Sequence, residues 1–203
     1  MTEEEARAWI AARYDHEACA RLEQFLDLVI AENARQNLIS PASVDTIWSR
    51  HAVDSAQLLT FAPADWRTWT DVGTGGGFPG MVVALLAPDR CVRLVEPRRK
   101  RADFLRDCCQ ALHLPHAAVE ARKIEAVDSP SDVISARAVS SVENLLRAAE
   151  RCAKDDTVWL LPRGRTGADD IASLSRLKRT MFHVEHSVTD PESTIVVLRG
   201  SGR

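Results

Sequence analysis

Residues 71–80 read DVGTGGGFPG, and no other stretch limits the fold of this chain as strongly. Glycines stand at 73, 75, 76, 77 and 80, with an apolar run on either side. Glycine this dense marks backbone that must take positive φ or come close to something. A strand that runs into such a turn, with a helix after it, is the nucleotide-binding corner of open α/β sheets. There the ligand lies beyond the carboxyl ends of the strands.

The rest of the chain supports a sheet of that kind. Strand-length apolar runs fall at 67–72, 91–96, 117–121, 132–136 and 157–161, separated by helical stretches at 79–87, 98–112, 139–151 and 168–177. Strands alternating with helices predict a mostly parallel sheet covered on both faces. Two further runs, at 180–186 and 193–200, flank a turn containing Asp190 and Pro191 and predict a closing antiparallel hairpin. Residues 1–60 read as helix instead. Thr2 and Glu5 have capping-box spacing, Leu22, Phe25, Leu26, Val29 and Ile30 recur at helical intervals, and 44–59 resumes that spacing after a break at NLISPAS. The expected organisation is a helical extension over 1–60 followed by a nucleotide-binding domain over 61–203.

Two registers of the glycine stretch compete. Gly75-x-Gly77-x-x-Gly80 fits a dinucleotide fingerprint, and Asp71-x-Gly73-x-Gly75-x-Gly77 fits the turn of class I S-adenosylmethionine (SAM) methyltransferases. Glu96 ends the second strand, where a carboxylate can accept ribose hydroxyls, but both ligands carry that ribose. Three features favour SAM. Asp71 stands where the dinucleotide register has an apolar strand end. Pro79 offers no N–H to a pyrophosphate at the helix start. A terminal antiparallel hairpin suits methyltransferase sheets better than dinucleotide domains.

Other classes find less support. The five cysteines lack C-x-x-C spacing, so neither a disulfide framework nor a zinc site is expected; His51 has no partner at metal-ligand spacing, and His183 and His186 would lie on opposite faces of a strand. No apolar run reaches the roughly 18 residues that cross a bilayer. The first residues, MTEEEARAWI, lack the basic start and apolar core of a secretory signal, so a cytoplasmic location is expected. The net charge is −3, yet residues 91–106 hold six basic groups against two acidic ones. Lys100 and Arg101, in the run 98–101 that opens the helix after Glu96, are candidates for RNA phosphate contacts.

The pieces NLIS, RHAVDS, DVGTGGGFPG, VEPRRKRADFLR, ARKIEAV, ISARAV and LLPRGR follow one another between about residues 37 and 165. Together they resemble the RsmG family (glucose-inhibited division protein B), whose members methylate N7 of a guanine in 16S ribosomal RNA. The resemblance implies a class I SAM-dependent methyltransferase, a Rossmann-like mostly parallel sheet closed by an antiparallel hairpin, with an N-terminal helical extension. It implies SAM as cofactor and 16S rRNA or the small ribosomal subunit as partner, with the target in the loop near the decoding site. Carried over by position, Gly73 and Phe78 match the family's cofactor contacts in the glycine loop. Gly75 joins them in the same turn, and Ile124 and Glu125 match contacts around the adenine. Arg137 matches the arginine at the methyl-transfer pocket. Arg163 stands where the family commonly has lysine, a planar fork in place of a point charge. With Arg50, His51 and Arg165 it makes up the expected substrate side. No metal, no membrane and a monomer are expected.

Guanine N7 also suits the residues. It has a lone pair and no proton, so positioning is the main demand and no general base is needed. The Asn/Asp-Pro-Pro-aromatic motif of exocyclic-amine methylation is absent after the fourth strand, where the chain reads SARAV. No cysteine has the Pro-Cys or Thr-Cys setting of cytosine-C5 enzymes. Two other readings stay open at this point: an NAD-dependent oxidoreductase using Gly75, Gly77, Gly80 and Glu96, and a non-catalytic nucleotide-binding module that recognises RNA or protein.

Overall fold

A computed structural model describes residues 1–137, 141–164 and 181–200. The helix expected over 168–177 and the candidate Arg165 lie outside the described residues.

Helix α1 (Glu3–Ala11) starts from a complete capping box: Thr2 accepts from the Glu5 N–H and Glu5 accepts from the Thr2 N–H. Helix α2 (His16–Gln36) is capped by Asp15, which accepts from the Ala18 N–H, and ends at Asn37 in the left-handed region. Leu22, Phe25, Leu26 and Val29 form its buried face as expected, but Ile30, one residue further round the helix, is exposed. The regular helix expected over 44–59 is corrected. The chain instead forms a π-helical segment over Trp48–Val53, one α turn (α3, Asp54–Ala56) and a 3-10 turn over Gln57–Thr60. Apolar spacing alone does not tell these helices apart. Distant groups bear on the choice: Glu3 of α1 accepts from the N–H groups of Trp48 and Ser49 at 2.9 and 2.8 Å and from Ser49 Oγ at 2.7 Å. A π segment re-aims side chains and is frequent at functional sites.

Seven strands follow: β1 (Thr68–Val72), β2 (Cys91–Val95), β3 (Ala117–Glu120), β4 (Ser131–Ser135), β5 (Ala153–Arg163), β6 (Met181–His186) and β7 (Thr194–Arg199). They lie in the order β3-β2-β1-β4-β5-β7-β6, and β7 runs antiparallel to both of its neighbours. The predicted parallel sheet with an antiparallel hairpin is therefore present. Only β5 departs by more than one residue from its expected bounds, running over Ala153–Arg163 where 157–161 was expected. Its first residues, AKDD, give no apolar signal, and a register shift between Ser131 and Val133 accommodates them.

Helices α4 (Gly80–Leu86), α5 (Arg99–Ala111) and α6 (Val142–Ala148) complete the described elements. Every residue of α4 is buried. A helix apolar all round needs cover on every side, and α2 and α3 supply it where α4 faces away from the sheet. Alternation along the strands sorts the rest. Val158, Leu160, Ile195 and Val197 join the core shared with the N-terminal helices, while Trp159, Leu161, Val196 and Leu198 face α6 on the other side. Because β1–β5 are parallel, the turns after Val72, Val95, Glu120, Ser135 and Arg163 all emerge at one edge of the sheet.

Candidate active site

The glycine turn answers its own question once each position is placed. Gly73 has φ +70°, and a Cβ built there would meet nothing within 4 Å, so this position opens outward. A Cβ on Gly77, at φ +104°, would come within 2.4 Å of Phe25 Cζ, and one on Gly76 within 3.0 Å of Leu38 Cβ. One on Gly80 would lie 2.4 Å from Leu94 Cδ2 and 2.7 Å from Asp71 Oδ2. Gly76, Gly77 and Gly80 make room for the protein's own packing, and Gly73 opens outward.

Asp71, at the end of β1, is fully buried. Its Oδ2 accepts from the Gly80 N–H at 2.9 Å and its Oδ1 from Ser135 Oγ at 2.7 Å, and Ser135 accepts from Trp69 Nε1 at 2.8 Å. Burial pushes the Asp71 carboxyl up to about 6, partly offset by those hydrogen bonds. The first N–H of α4 is thus spent on Asp71 and Pro79 has none, which removes the donors a pyrophosphate would need there. The dinucleotide register loses its physical basis at this point.

Glu96 differs from its expected state. It is buried, and both oxygens already accept main-chain donors: Oε2 from the Gly75 N–H at 2.9 Å and Oε1 from the Arg98 N–H at 2.8 Å. It ties the glycine turn to the start of α5, a role the sequence reading missed. Each oxygen retains a second lone pair for a ribose hydroxyl. Ile124, on the turn after β3, is buried in the same apolar cluster as Val95, and Glu125 beside it is exposed. An outward glycine turn, a strand-end carboxylate and an apolar turn fit a purine ribonucleoside such as SAM. The Phe78 ring is buried, 5.4 Å from the Phe25 ring and 4.7 Å from the His51 ring between centroids. Any cofactor contact from Phe78 therefore falls to its main chain.

Arg137, after β4, and His51, in the π segment, meet across 86 residues: Arg137 Nη1 donates to His51 Nδ1 at 2.7 Å. A guanidinium has only donors, so His51 carries its proton on Nε2, which donates to Ser43 Oγ at 3.0 Å. Burial, then the charges of Arg137 and Arg50, push the His51 pKa down to about 3, so the ring is neutral. The Arg137 guanidinium also lies 5.3 Å from the Phe78 ring centroid. Among the described residues His51 is its one hydrogen-bond acceptor, which leaves the remaining N–H groups for the cavity that Arg137 lines.

That cavity, about 460 Å³, is bounded by Leu38, Arg50, His51, Asp54, Arg137 and Arg163, among others. Its size suits a base-sized group. Sequence reading placed Arg50, His51, Arg137 and Arg163 here but missed Ser43 and Asp54, which only the packing of the extension brings in. Arg50 also pairs with Asp190 at 3.6 Å. Lys100 is exposed at the start of α5. Arg101 leans back instead, donating to the Asn37 carbonyl at 3.4 Å and lying beside Gly75. Among the described residues, no group of three or more His, Cys, Asp or Glu side chains could hold a metal, and no helix is long and apolar enough to cross a membrane.

Comparison with known proteins adds three findings. Residues 18–194 match the family described as GidB, rRNA small subunit methyltransferase G. Over its full length the chain is 43% identical to the ribosomal RNA small subunit methyltransferase G of Erythrobacter litoralis, covering 98% of that protein. It is also 43% identical to the protein of the same name from Rhizorhabdus wittichii, covering 97% of it. Among solved structures, a SAM dependent methyltransferase from Aquifex aeolicus superposes with a TM-score of 0.60 at 14% identity, over 79% of this chain and 98% of that one. P. horikoshii TYW2 in complex with MeSAdo gives 0.58 at 16% identity, over 82% and 64%. These likenesses show the fold, a class I Rossmann-like methyltransferase sheet.

Proposed function

The chain belongs to the rRNA small subunit methyltransferase G family, a SAM-dependent methyltransferase of small-subunit ribosomal RNA, and we propose that its target is N7 of a guanine in the 16S loop near the decoding site. The observation that carries this reading is the cavity beside the glycine turn, where a buried neutral histidine holds a guanidinium over an aromatic ring.

When bound, SAM supplies a methyl group on a sulfonium. The chain's part is to hold and orient. Gly73 and Gly75 give the cofactor a turn without side chains, Glu96 faces its ribose, and Ile124 and Glu125 border its adenine. Arg137 is the residue at the transfer pocket and directs N–H groups toward the base or the cofactor carboxylate. Guanine N7 has no proton to lose, so no base is required, and His51 is suited to the role it has: an acceptor that fixes the direction of Arg137. Arg50, Lys100, Arg101 and Arg163 contribute positive charge for RNA phosphates. In this reading residues 1–60 are an extension that completes the pocket of a SAM-binding domain over 61–203. The protein works as a monomer in the cytoplasm, where its ribosomal substrate is.

The test is incubation with radiolabelled SAM and small subunits from cells lacking this modification, followed by digestion to nucleosides. Label in 7-methylguanosine is the expected result. Label in another nucleoside would overturn the N7 assignment, and Arg137→Ala is expected to abolish most of the incorporation.

A further inference from the structure

Asp54 lies in the RHAVDS stretch without an assigned role, and it lines the same cavity as Arg50, Arg137 and Arg163. Its two carboxylate oxygens are used differently. Oδ1 accepts from Gln57 Nε2 at 3.0 Å, from Ser187 Oγ at 2.9 Å and, in a shorter contact, from Thr189 Oγ1. These donors come from the neighbouring helical turn and from the connection between β6 and β7. Among the described residues, no hydrogen bond reaches Oδ2. One oxygen is anchored by three donors and the other keeps its acceptor capacity, on a side chain that lines a cavity together with Arg50, Arg137 and Arg163.

A carboxylate repels phosphate, so its place in this cavity, where it also feels the charges of Arg137 and Arg50, favours a ligand that brings donors as well as acceptors. A nucleobase brings both. Guanine carries acceptors, N7 and O6, on one edge and donors, N1–H and the N2 amino group, on its Watson–Crick edge. Adenine has an acceptor at N1 in that place, and enzymes that act on single bases commonly read this edge. Guanidinium groups and a carboxylate lining one cavity match guanine's mixed polarity, and adenine would set lone pair against lone pair at Asp54.

Building on the guanine-N7 reading above, we infer that Asp54 is a specificity-determining residue that reads the Watson–Crick edge of the target guanine, its Oδ2 accepting from N1–H and the N2 amino group. Methylation at N7 leaves the purine positively charged, so the same carboxylate favours the product side of the reaction electrostatically.

Asp54→Asn is the sharp variant, because an asparagine can keep its oxygen toward Gln57, Ser187 and Thr189 while turning an NH2 group, a donor, into the cavity. We would measure kcat and KM on small-subunit RNA assembled with either guanine or a single inosine at the methylated position, inosine lacking only the N2 amino group. SAM affinity would be measured alongside by calorimetry. Wild type is expected to prefer guanine over inosine about tenfold. In Asp54→Asn, kcat/KM for guanine should fall roughly 10- to 100-fold and the preference should drop to about one, with SAM affinity kept. Ser187→Ala removes an anchoring donor without touching Oδ2. It should lower the melting temperature and leave the preference in place.

An unchanged preference in Asp54→Asn, loss of SAM binding in that variant, or an equal loss of preference in Ser187→Ala would each overturn the assignment. Absence of 7-methylguanosine with the wild-type enzyme would instead overturn the reading on which it rests.

Discussion

The Asp71 corner and the Arg137 cavity share one edge of the sheet and are built in opposite ways. At Asp71 the polar groups are spent inside the protein: Trp69 donates to Ser135, Ser135 and the Gly80 N–H donate to Asp71, and a methyl group at Gly80 would find no room. At Arg137, among the described residues, one N–H is spent on His51, and the side chain lines a cavity of about 460 Å³. The first region carries the recognisable motif and acts mainly as scaffold. The second carries polar groups held in place with hydrogen-bonding capacity left over, which is what a site requires. Substitutions should therefore cost stability in one region and activity in the other.

The largest effect expected is on activity. Arg137→Ala should lower kcat/KM by roughly 10²- to 10³-fold, the scale of losing a positioned donor at a reacting group, with the melting temperature only slightly changed. A variant that unfolds as readily as a glycine-turn mutant would erase the distinction between the two regions. Next comes Gly80→Ala, whose Cβ would sit 2.4 Å from Leu94 Cδ2 and 2.8 Å from Asp71 Cβ. Overpacking of this kind should cost about 3 kcal/mol in denaturant unfolding. If its stability matches wild type, the Asp71 corner is looser than the hydrogen bonds imply.

Titration gives the two regions opposite signs. His51 is depressed to about 3 in the folded protein from an ordinary 6.5, so the unfolded chain binds the extra proton. Its contribution is intact above 6.5 and is lost as pH falls from 6.5 toward about 3. Asp71 is raised to about 6 from 3.8, so here the folded protein holds the extra proton, and its contribution is lost as pH rises from 3.8 through about 6. His51→Gln should flatten the stability loss on the acid side, and Asp71→Asn should flatten the loss between about pH 4 and 6. Both follow from unfolding curves across pH, and slopes of the same sign would contradict the assignment.

Glu3→Ala should have a smaller effect. It leaves the N–H groups of Trp48 and Ser49 without their acceptor at the start of the segment that carries His51, a loss of about 1–3 kcal/mol. KM for the ribosomal substrate is expected to rise with it, which links the extension to the cavity. The smallest effect belongs to Arg101→Ala. Its side chain already leans on the Asn37 carbonyl and is exposed to screening salt, so a few-fold weakening of RNA binding at low ionic strength is expected.

The alternation of strand and helix, the glycine turn and the closing hairpin were legible in the sequence because each is a local pattern: a period, a turn residue or a short spacing. So was the gathering of Gly73, Glu96, Ile124, Arg137 and Arg163 at one edge, since parallel strands put every following turn on the same side. What those residues do there was not legible. Gly77 and Gly80 look like ligand-approach glycines, and only Phe25, Leu94 and Asp71 show that protein fills the space. Glu96 looks free for a ribose, and only the fold shows both its oxygens already accepting main-chain N–H groups. His51 and Asp54 lie in a stretch whose apolar spacing predicted an ordinary helix, and Ser43 in the break before it. The π turn, the neutral ring and the anchored carboxylate depend on Glu3, Arg137, Ser187 and Thr189, partners from 45 to 135 residues away. Sequence determines the frame through short-range preferences. Which polar groups are consumed and which are left over for chemistry is decided when distant segments meet, because a hydrogen bond satisfies whichever partner the packed chain brings within reach.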